Sequence, residues 1–121
     1  MLQTYEGLCA YIEAKPVCTR DMPFDFDTLC FRGGKKIFVL MSWQDDPVTI
    51  NLKCDPQKAL KWRSFFAAVT PGYHMNHKYW NTVVCDGSVP DSALMEMIND
   101  SYDLVFASLS KAEKQALEGE R

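Results

Sequence analysis

The sequence predicts a two-layer α+β fold, in which a mainly antiparallel sheet carries helices on one face. A Gly33-Gly34 dipeptide joins two strand-like segments, as in a tight antiparallel hairpin. Helix-start signals stand at Asp55-Pro56 and at Pro90-Asp91, after strand-rich stretches. Hairpin-paired strands followed by amphipathic helices build a sheet that is covered on one side.

The first half of the chain supplies one helix and three strands. Residues 3–15 pair apolar side chains at helical spacing and stop at Pro16, which predicts the first helix. Residues 17–26 are predicted to be irregular. The Gly33-Gly34 loop suits a type I′ turn, because both of its central residues need a positive φ. The third strand alternates apolar and polar residues, so we expect one face of the sheet to be wet. The three strands are predicted over residues 28–32, 35–43 and 48–54.

The second half alternates helices with strands. Asp55 is expected as an N-cap and Pro56 as the first helical residue. Pro71-Gly72 breaks the chain after that helix, and Ser110-x-x-Glu113 forms a capping box. The predicted order is therefore α-β-β-β-α-β-β-α. We expect a single domain over residues 1–121, in which residues 110–121 form a short C-terminal helix or tail. The elements of this half are a helix over 56–67, strands over 73–77 and 80–86, a long helix from Pro90, and the short last helix.

Charge is segregated along the chain although the net charge is only -3. Residues 1–27 have a net charge of -3, and residues 82–121 have a net charge of -5. Residues 28–81 carry eight Lys or Arg and three Asp, a net charge of +5. A basic middle between acidic ends predicts a local contact with an anionic partner rather than a uniformly basic surface.

Cysteine usage and hydropathy indicate the compartment. The five cysteines are odd in number and include no C-x-x-C pair, which predicts free thiols in a reducing cytoplasm. No apolar run approaches the roughly 18 residues of a membrane span, and no secretory signal pattern opens the sequence. We therefore expect a cytoplasmic protein without a membrane partner.

Residues 71–81 form the stretch richest in chemistry, with both histidines, two asparagines, a lysine and three aromatic residues. One interpretation is a recognition surface, in which aromatic faces stack and cations meet phosphates. The other is a long connection whose aromatic side chains pack on the sheet. Tyr73 and Trp80 are the expected anchors, whereas Lys78 and one histidine are expected to be exposed.

The sequence predicts no catalytic residue, metal or cofactor. His74 and His77 are its only histidines, and no cysteine or carboxylate lies close to them in sequence, so a metal site is not expected. A thiolate–base pair such as Cys85 with His74 is not singled out by any motif. Gly33-Gly34-Lys35-Lys36 lacks phosphate-loop spacing and joins two strands, so it is interpreted as a hairpin turn with basic shoulders.

Several motifs follow one another in a characteristic order along the chain. They are Leu52-Lys53-Cys54-Asp55-Pro56, Pro71-Gly72-Tyr73-His74-Met75-Asn76, Lys78, Trp80-Asn81-Thr82-Val83, Asp86-Gly87-Ser88-Val89-Pro90-Asp91 and Ser101-Tyr102-x-Leu104-Val105, with Gly33-Gly34-Lys35 upstream. With these motifs the chain resembles the bacterial MmcQ/YjbR family over residues 1–110. The resemblance implies a small α+β domain grouped with secretion-chaperone-like folds, and it implies DNA binding through paired hairpin wings.

Three functions stay open at this point, and DNA binding is the leading one. The second is a protein- or peptide-binding module, with exposed Trp43, Trp62 or Phe65 as its contact surface. The third is an enzyme or small-ligand site around Tyr73, His74, Asn76 and Trp80, and the sequence makes no prediction of oligomeric state. The candidate DNA-binding residues are Arg32, Lys35, Lys36, Lys53, Lys58, Lys61, His74, Asn76, His77, Lys78 and Asn81, and the motif or structural residues are Gly33, Gly34, Asp55, Pro56, Pro71, Gly72, Tyr73 and Trp80.

Overall fold

Six strands form one antiparallel sheet in which the sixth strand of the chain lies between the fourth and the fifth and the others follow in chain order, which confirms the predicted α+β class. The computed structural model describes residues 1–72 and 76–118. Its elements are α1 (Tyr5–Glu13), β1 (Cys18–Asp21), β2 (Thr28–Gly33), β3 (Lys36–Ser42), β4 (Thr49–Lys53), α2 (Pro56–Phe65), β5 (Val69–Pro71), β6 (Trp80–Val84), α3 (Asp91–Ala107) and α4 (Lys111–Glu118).

One face of the sheet is buried under helices and the other is open. Along β4, Ile50 and Leu52 are buried, whereas the residues between them are only half-buried. Ile50 pairs with Met41 on β3 and with Val83 on β6, and both partners are buried on the same face. Helix α3 packs on β2, β3 and β4, and α2 packs on β5 and β6. The alternation predicted for the third strand is therefore confirmed.

The predicted helix-start signals act as expected at two of the later helices. The Asp55 carboxylate accepts hydrogen bonds from the N–H groups of Gln57 and Lys58, and Pro56 is the first helical residue. At α4, the Glu113 N–H donates to the Ser110 hydroxyl at 3.1 Å, and the Ser110 N–H donates to the Glu113 carboxylate at 3.3 Å. This reciprocal pair is the predicted capping box.

The β2–β3 hairpin differs by one residue from the prediction. Gly33 is the last residue of β2 and pairs with Lys36, so the two-residue loop is Gly34-Lys35. Gly34 has φ +67°, whereas neither Gly33 nor Lys35 has a positive φ. These signs match a type II′ turn, so the predicted type I′ turn is wrong. A Cβ on Gly33 would stand 3.4 Å from the Tyr102 ring, an ordinary van der Waals contact.

The pairing of β2 with β3 contains an irregularity beside the hairpin. Phe31 pairs with Val39 and Arg32 pairs with Ile37, which leaves Phe38 as an extra residue on β3. The Ser101 hydroxyl of α3 donates to the Phe38 carbonyl at 2.6 Å and accepts from the Lys53 N–H at 2.9 Å. Val39 and Leu52 are the last residues that pair between β3 and β4. Past this pair, Ser101 of α3 replaces the missing strand partner of the Phe38 carbonyl and of the Lys53 N–H.

Two other strand predictions are corrected. Residues 17–26 were expected to be irregular, but they contain the edge strand β1. A strand was expected over residues 73–77, of which 73–75 lie outside the described residues, and 76–77 are not in a strand. The strand that pairs with β6 is instead β5, at Val69–Pro71. Within the described part of the chain, no helix combines the length and the apolar character required to cross a membrane.

Candidate functional site

The antiparallel register brings most of the candidate basic residues to one end of the sheet. Strand β2 ends where β3 begins, and β4 ends and β6 begins at that same end. The adjacent connections are the β2–β3 hairpin and the turn before β6. We call this end of the sheet the basic end, and its cationic or histidine residues are Arg32, Lys35, Lys36, Lys53, His77 and Lys78.

The opposite end of the sheet is acidic. It contains the connections 22–27, 43–48 and 85–90, in which the sequence has no Lys or Arg. This end of the sheet therefore differs from the basic end in the sign of the charge on its connections. We call this end the acidic end, and its carboxylates are Asp25, Asp27, Asp45, Asp46 and Asp86.

At the hairpin, Arg32 and Lys36 already have partners within the protein. The Arg32 guanidinium pairs with Asp21 at 3.3 Å and donates to the Lys35 carbonyl at 3.1 Å. The Lys36 ammonium donates to the carbonyl and the hydroxyl of Ser108, each at 3.1 Å, at the end of α3. Lys35 is exposed at the tip, which makes its ammonium the most available of the three hairpin cations.

The hairpin lysines also influence the start of α4. The pKa of Glu113 is lowered, mainly by hydrogen bonds from Ser110 and further by the positive charges of Lys35 and Lys36. The hairpin tip therefore lies close enough to the Glu113 carboxylate for an electrostatic interaction.

Lys53 and Trp80 are neighbours on the open face. They are direct cross-strand partners on β4 and β6, and both side chains are half-buried. In the next row of that face, the Thr82 hydroxyl donates to the Asn51 side-chain carbonyl at 2.5 Å. No ion pair reaches the Lys53 ammonium from the residues that the structure describes. A cation and an indole are thus side by side on an accessible surface.

The turn before β6 exposes His77 and Lys78. The Asn76 carbonyl accepts from the N–H groups of Tyr79 and Trp80, at 3.1 and 3.0 Å. The Asn76 side chain accepts from the Lys78 N–H at 3.0 Å, so it stabilises the turn. The Lys78 ammonium lies 5.7 Å from the centre of the Tyr79 ring and is exposed.

Arg63 of α2 anchors this turn, a role that no sequence pattern indicated. Its Nε donates to the Asn81 side-chain carbonyl at 2.6 Å, and its Nη2 donates to the carbonyls of His77 and Trp80. The Asn81 amide in turn donates to the Ala59 carbonyl at 3.3 Å. Asn81 is only 2% exposed, so its predicted contact with DNA is corrected to a structural role.

The two lysines of α2 lie in the helical layer, apart from Lys53. Lys58 pairs with Asp100 of α3 at 2.9 Å, and the Lys61 ammonium lies 5.8 Å from each of the Trp62 and Phe65 rings. An apolar groove of about 250 Å³ runs beside Lys58. Its lining residues are Asp55, Lys58, Asp100, Asp103, Leu104 and Ala107.

The residues predicted for a protein contact have different environments. Trp62 is buried, so its predicted exposure is wrong. Trp43 is half-buried and donates from its indole N–H to the Phe26 carbonyl at 2.9 Å. Phe65 is exposed, as predicted. Tyr73 and His74, and with them the proposed ligand site, lie outside the described residues.

The cysteine thiols are free, and burial disfavours their reactive thiolate form. All five cysteines are free, and burial raises the pKa of Cys85 to about 12 and that of Cys54 to about 11. Cys85 directly follows the acidic end of β6, whereas His77 precedes the basic end. In the residues described, no group of three or more His, Cys, Asp or Glu side chains is placed to hold a metal ion.

The fold and the charged ends define a small α+β domain with one open sheet face. The YjbR family model matches residues 13–104, and the chain belongs to this family. It is 39% identical to uncharacterized protein YbdF of Escherichia coli O157:H7 over 93 residues, which cover 77% of this chain and 76% of that protein. It is 26% identical to uncharacterized protein YjbR of Escherichia coli K12 over 114 residues, which cover 94% of this chain and 97% of that protein.

A solved structure shows the same fold. The crystal structure of Deinococcus radiodurans protein DR2400, a DUF419 domain, matches with a TM-score of 0.91 at 34% identity. The match covers 97% of this chain and 89% of that one. The sequence comparisons thus show the family, and the structural comparison shows a solved protein with the same fold.

Proposed function

We propose that this protein binds duplex DNA through the backbone phosphates, at the basic end of its sheet. The observation that supports the proposal is the register, which gathers lysines from a hairpin, a strand end and a turn. The same register keeps the carboxylates of three connections at the other end. A molecule with a net charge of -3 thereby presents a cationic surface to a polyanion.

Lys35, Lys53 and Lys78 are the proposed phosphate contacts. They belong to the hairpin before β3, to β4 and to the turn before β6, and these three strands are neighbours in the sheet. Adjacent strands lie about 4.8 Å apart, so the strands that carry this surface span about 10 Å. Half-exposed Trp80 beside Lys53 adds an aromatic surface for the sugar–phosphate backbone.

Three phosphate contacts set the expected salt dependence. Each neutralised phosphate contributes about 0.9 to the logarithmic slope, so affinity should fall about 40-fold between about 50 mM and 200 mM salt. Binding should be weak and independent of DNA sequence, with a dissociation constant on the order of 10⁻⁵ M.

The experiment is a fluorescence-anisotropy titration of a random-sequence duplex at those two salt concentrations. Lys35→Gln/Lys53→Gln/Lys78→Gln should abolish the binding. Lys53→Gln alone should weaken it, whereas Lys61→Gln, the same change on α2, should not. An undetectable interaction at low salt, or a triple variant that binds like the wild type, overturns the proposal.

We also propose that the protein resides in the reducing cytoplasm. Five free cysteines, four of them buried, support this placement, because disulfides persist mainly in oxidising compartments. Fractionation of cells with an antibody against the protein tests it, and recovery in a secreted or periplasmic fraction would contradict it.

A further inference from the structure

Two clusters of large apolar side chains are exposed on this molecule. The first is the connection from β1 to β2, residues 22–27, which we call the aromatic loop. Phe24 is 66% exposed and Phe26 is 84% exposed, and Met22 between β1 and Pro23 is also exposed. Clustered exposed apolar side chains are typical of interaction sites.

The backbone of the aromatic loop is held in place while its side chains project into solvent. The Trp43 indole N–H donates to the Phe26 carbonyl at 2.9 Å, and the Trp43 ring packs 5.4 Å from the Tyr5 ring. The Asp27 N–H donates to the Asp25 carboxylate at 2.9 Å. A loop ordered in this way loses less conformational entropy when it binds a partner.

The second cluster lies on the outer face of α2. Leu60 is 63% exposed and Phe65 is 62% exposed. The Lys61 ammonium lies 5.8 Å from the Phe65 ring, so this apolar surface carries a positive charge. Lys58 and Arg63 of the same helix already have protein partners, Asp100 and Asn81. Among the described residues, no carboxylate forms an ion pair with Lys61.

The two clusters have opposite charge. The aromatic loop carries Asp25 and Asp27 and no basic residue, whereas α2 carries three basic residues and no carboxylate. They are also far apart, because the loop adjoins β1 and α2 packs on β5, at opposite edges of the sheet. Five strand spacings separate those edges, about 24 Å. One molecule therefore cannot bring its own loop to its own α2 face.

We propose that the aromatic loop of one copy docks on the outer face of α2 of a second copy. Phe24 and Phe26 would pack against Leu60 and Phe65, and the loop carboxylates would face Lys61. The contact joins two different surfaces, so it is heterologous, and a bound pair still has one free loop on one copy and one free α2 face on the other. Chains of copies form as concentration rises. The small apolar area makes each contact weak, with a dissociation constant on the order of 0.1 mM.

Sedimentation equilibrium from about 10 μM to 1 mM protein tests the proposal. The mass-average mass should rise with concentration above 13.8 kDa. Phe24→Ser/Phe26→Ser and Leu60→Ser/Phe65→Ser should each remain monomeric, but a mixture of the two should form dimers, because each variant keeps one intact surface. Leu104→Ser, at an exposed leucine of α3, is the matched control and should associate like the wild type.

A charge exchange separates a specific contact from general stickiness. Lys61→Glu should prevent association, and Asp27→Lys in the same chain, which leaves the Asp25 carboxylate bonded to the Asp27 N–H, should restore it. Circular dichroism and urea unfolding establish that each variant is folded. A wild-type protein that stays monomeric at the highest concentration overturns the proposal, and so does association that survives both serine variants.

Discussion

The hydroxyl of Ser101, buried on α3, accepts the backbone N–H of Lys53 at 2.9 Å. The same hydroxyl donates to the Phe38 carbonyl at 2.6 Å. Lys53 is the last residue of β4, at the basic end, so one side chain of the core helix fixes the backbone there. The position of the Lys53 side chain on the open face therefore depends on the packing of α3 beneath it.

Ser101→Ala should lower the free energy of unfolding by about 2–3 kcal/mol, because it leaves a backbone N–H and a carbonyl without their buried partner. Urea unfolding followed by circular dichroism measures the change. Ser64→Ala is the control, since the Ser64 hydroxyl is exposed and bonds only within its own helix, to Lys61. Its cost should stay within about 0.5 kcal/mol. Equal costs for the two variants would contradict the role of Ser101.

Asn81→Ala should destabilise the protein by about 2 kcal/mol, because the buried amide bonds both Arg63 and the Ala59 carbonyl. Since Asn81 is buried, the DNA affinity of the folded variant should stay unchanged. Urea unfolding and the anisotropy titration measure the two quantities on the same sample. A variant with wild-type stability that no longer binds DNA would instead show that Asn81 contacts DNA.

Gly72→Ala should cost about 1–3 kcal/mol of stability through overpacking. A Cβ at Gly72 would stand 2.9 Å from the Trp80 Cβ and 3.2 Å from its carbonyl oxygen. The Gly72 N–H donates a hydrogen bond of 2.9 Å to that carbonyl, which keeps the backbones of Gly72 and Trp80 close together. Thermal unfolding monitors the effect.

Gly87→Ala is the comparison for that variant. A Cβ there meets no atom within 4 Å, but Gly87 has φ +91°. Its cost should therefore come from backbone strain alone, about 1 kcal/mol. If Gly72→Ala leaves the melting temperature unchanged, the approach of Trp80 to Gly72 is not tight in solution.

Stability should fall at alkaline pH. Burial raises the pKa of Cys85 to about 12 and those of Cys54 and Cys18 to about 11, from 9.0. Above about pH 9 the unfolded chain loses thiol protons that the folded chain keeps, so the stability conferred by the neutral buried thiols is lost as pH rises toward 11–12. Urea midpoints at about pH 8 and pH 10.5 should differ accordingly.

The control for the pH effect is Cys54→Ala. Tyrosines and lysines also titrate in this range, so the informative quantity is the difference in pH dependence between wild type and variant. Cys54→Ala should lose less stability than the wild type as the pH rises. An identical loss would show that the Cys54 thiol does not contribute.

Local patterns predicted most of the elements, and the misses have physical causes. The N-cap at Asp55 and the capping box at Ser110 depend on residues close in sequence, and both form. Strand β1 was missed because, as an edge strand, it has three exposed residues out of four and no apolar alternation. The hairpin loop was displaced by one residue because Gly33 pairs with Lys36 as the last residue of β2, and the Gly33-Gly34 dipeptide alone does not reveal this register.

The candidate site was predictable in composition but not in arrangement. The excess of basic residues over 28–81 is visible in the sequence, yet only the strand register places Lys53 beside Trp80. Likewise, the burial of Asn81 follows from its bonds to α2, and no local pattern distinguishes Arg63 from the exposed Lys61 beside it. Strand β4 pairs with β6 and not with β5, which follows it more closely in sequence. This long-range pairing brings Lys53 and Trp80 together, and local sequence patterns do not reveal it.

The separation of charge along the strands makes the molecule an electric dipole as well as an ion. An electric field exerts a torque on a dipole, so near any strongly charged surface the molecule rotates before it touches. Because the acidic and basic ends lie at opposite ends of the same strands, their charges contribute a component of that dipole along the strand axis, on which the field acts. Transient electric birefringence in dilute buffer would therefore report the orientation of the sheet, and its amplitude would decrease if Asp45 and Asp46 were neutralised.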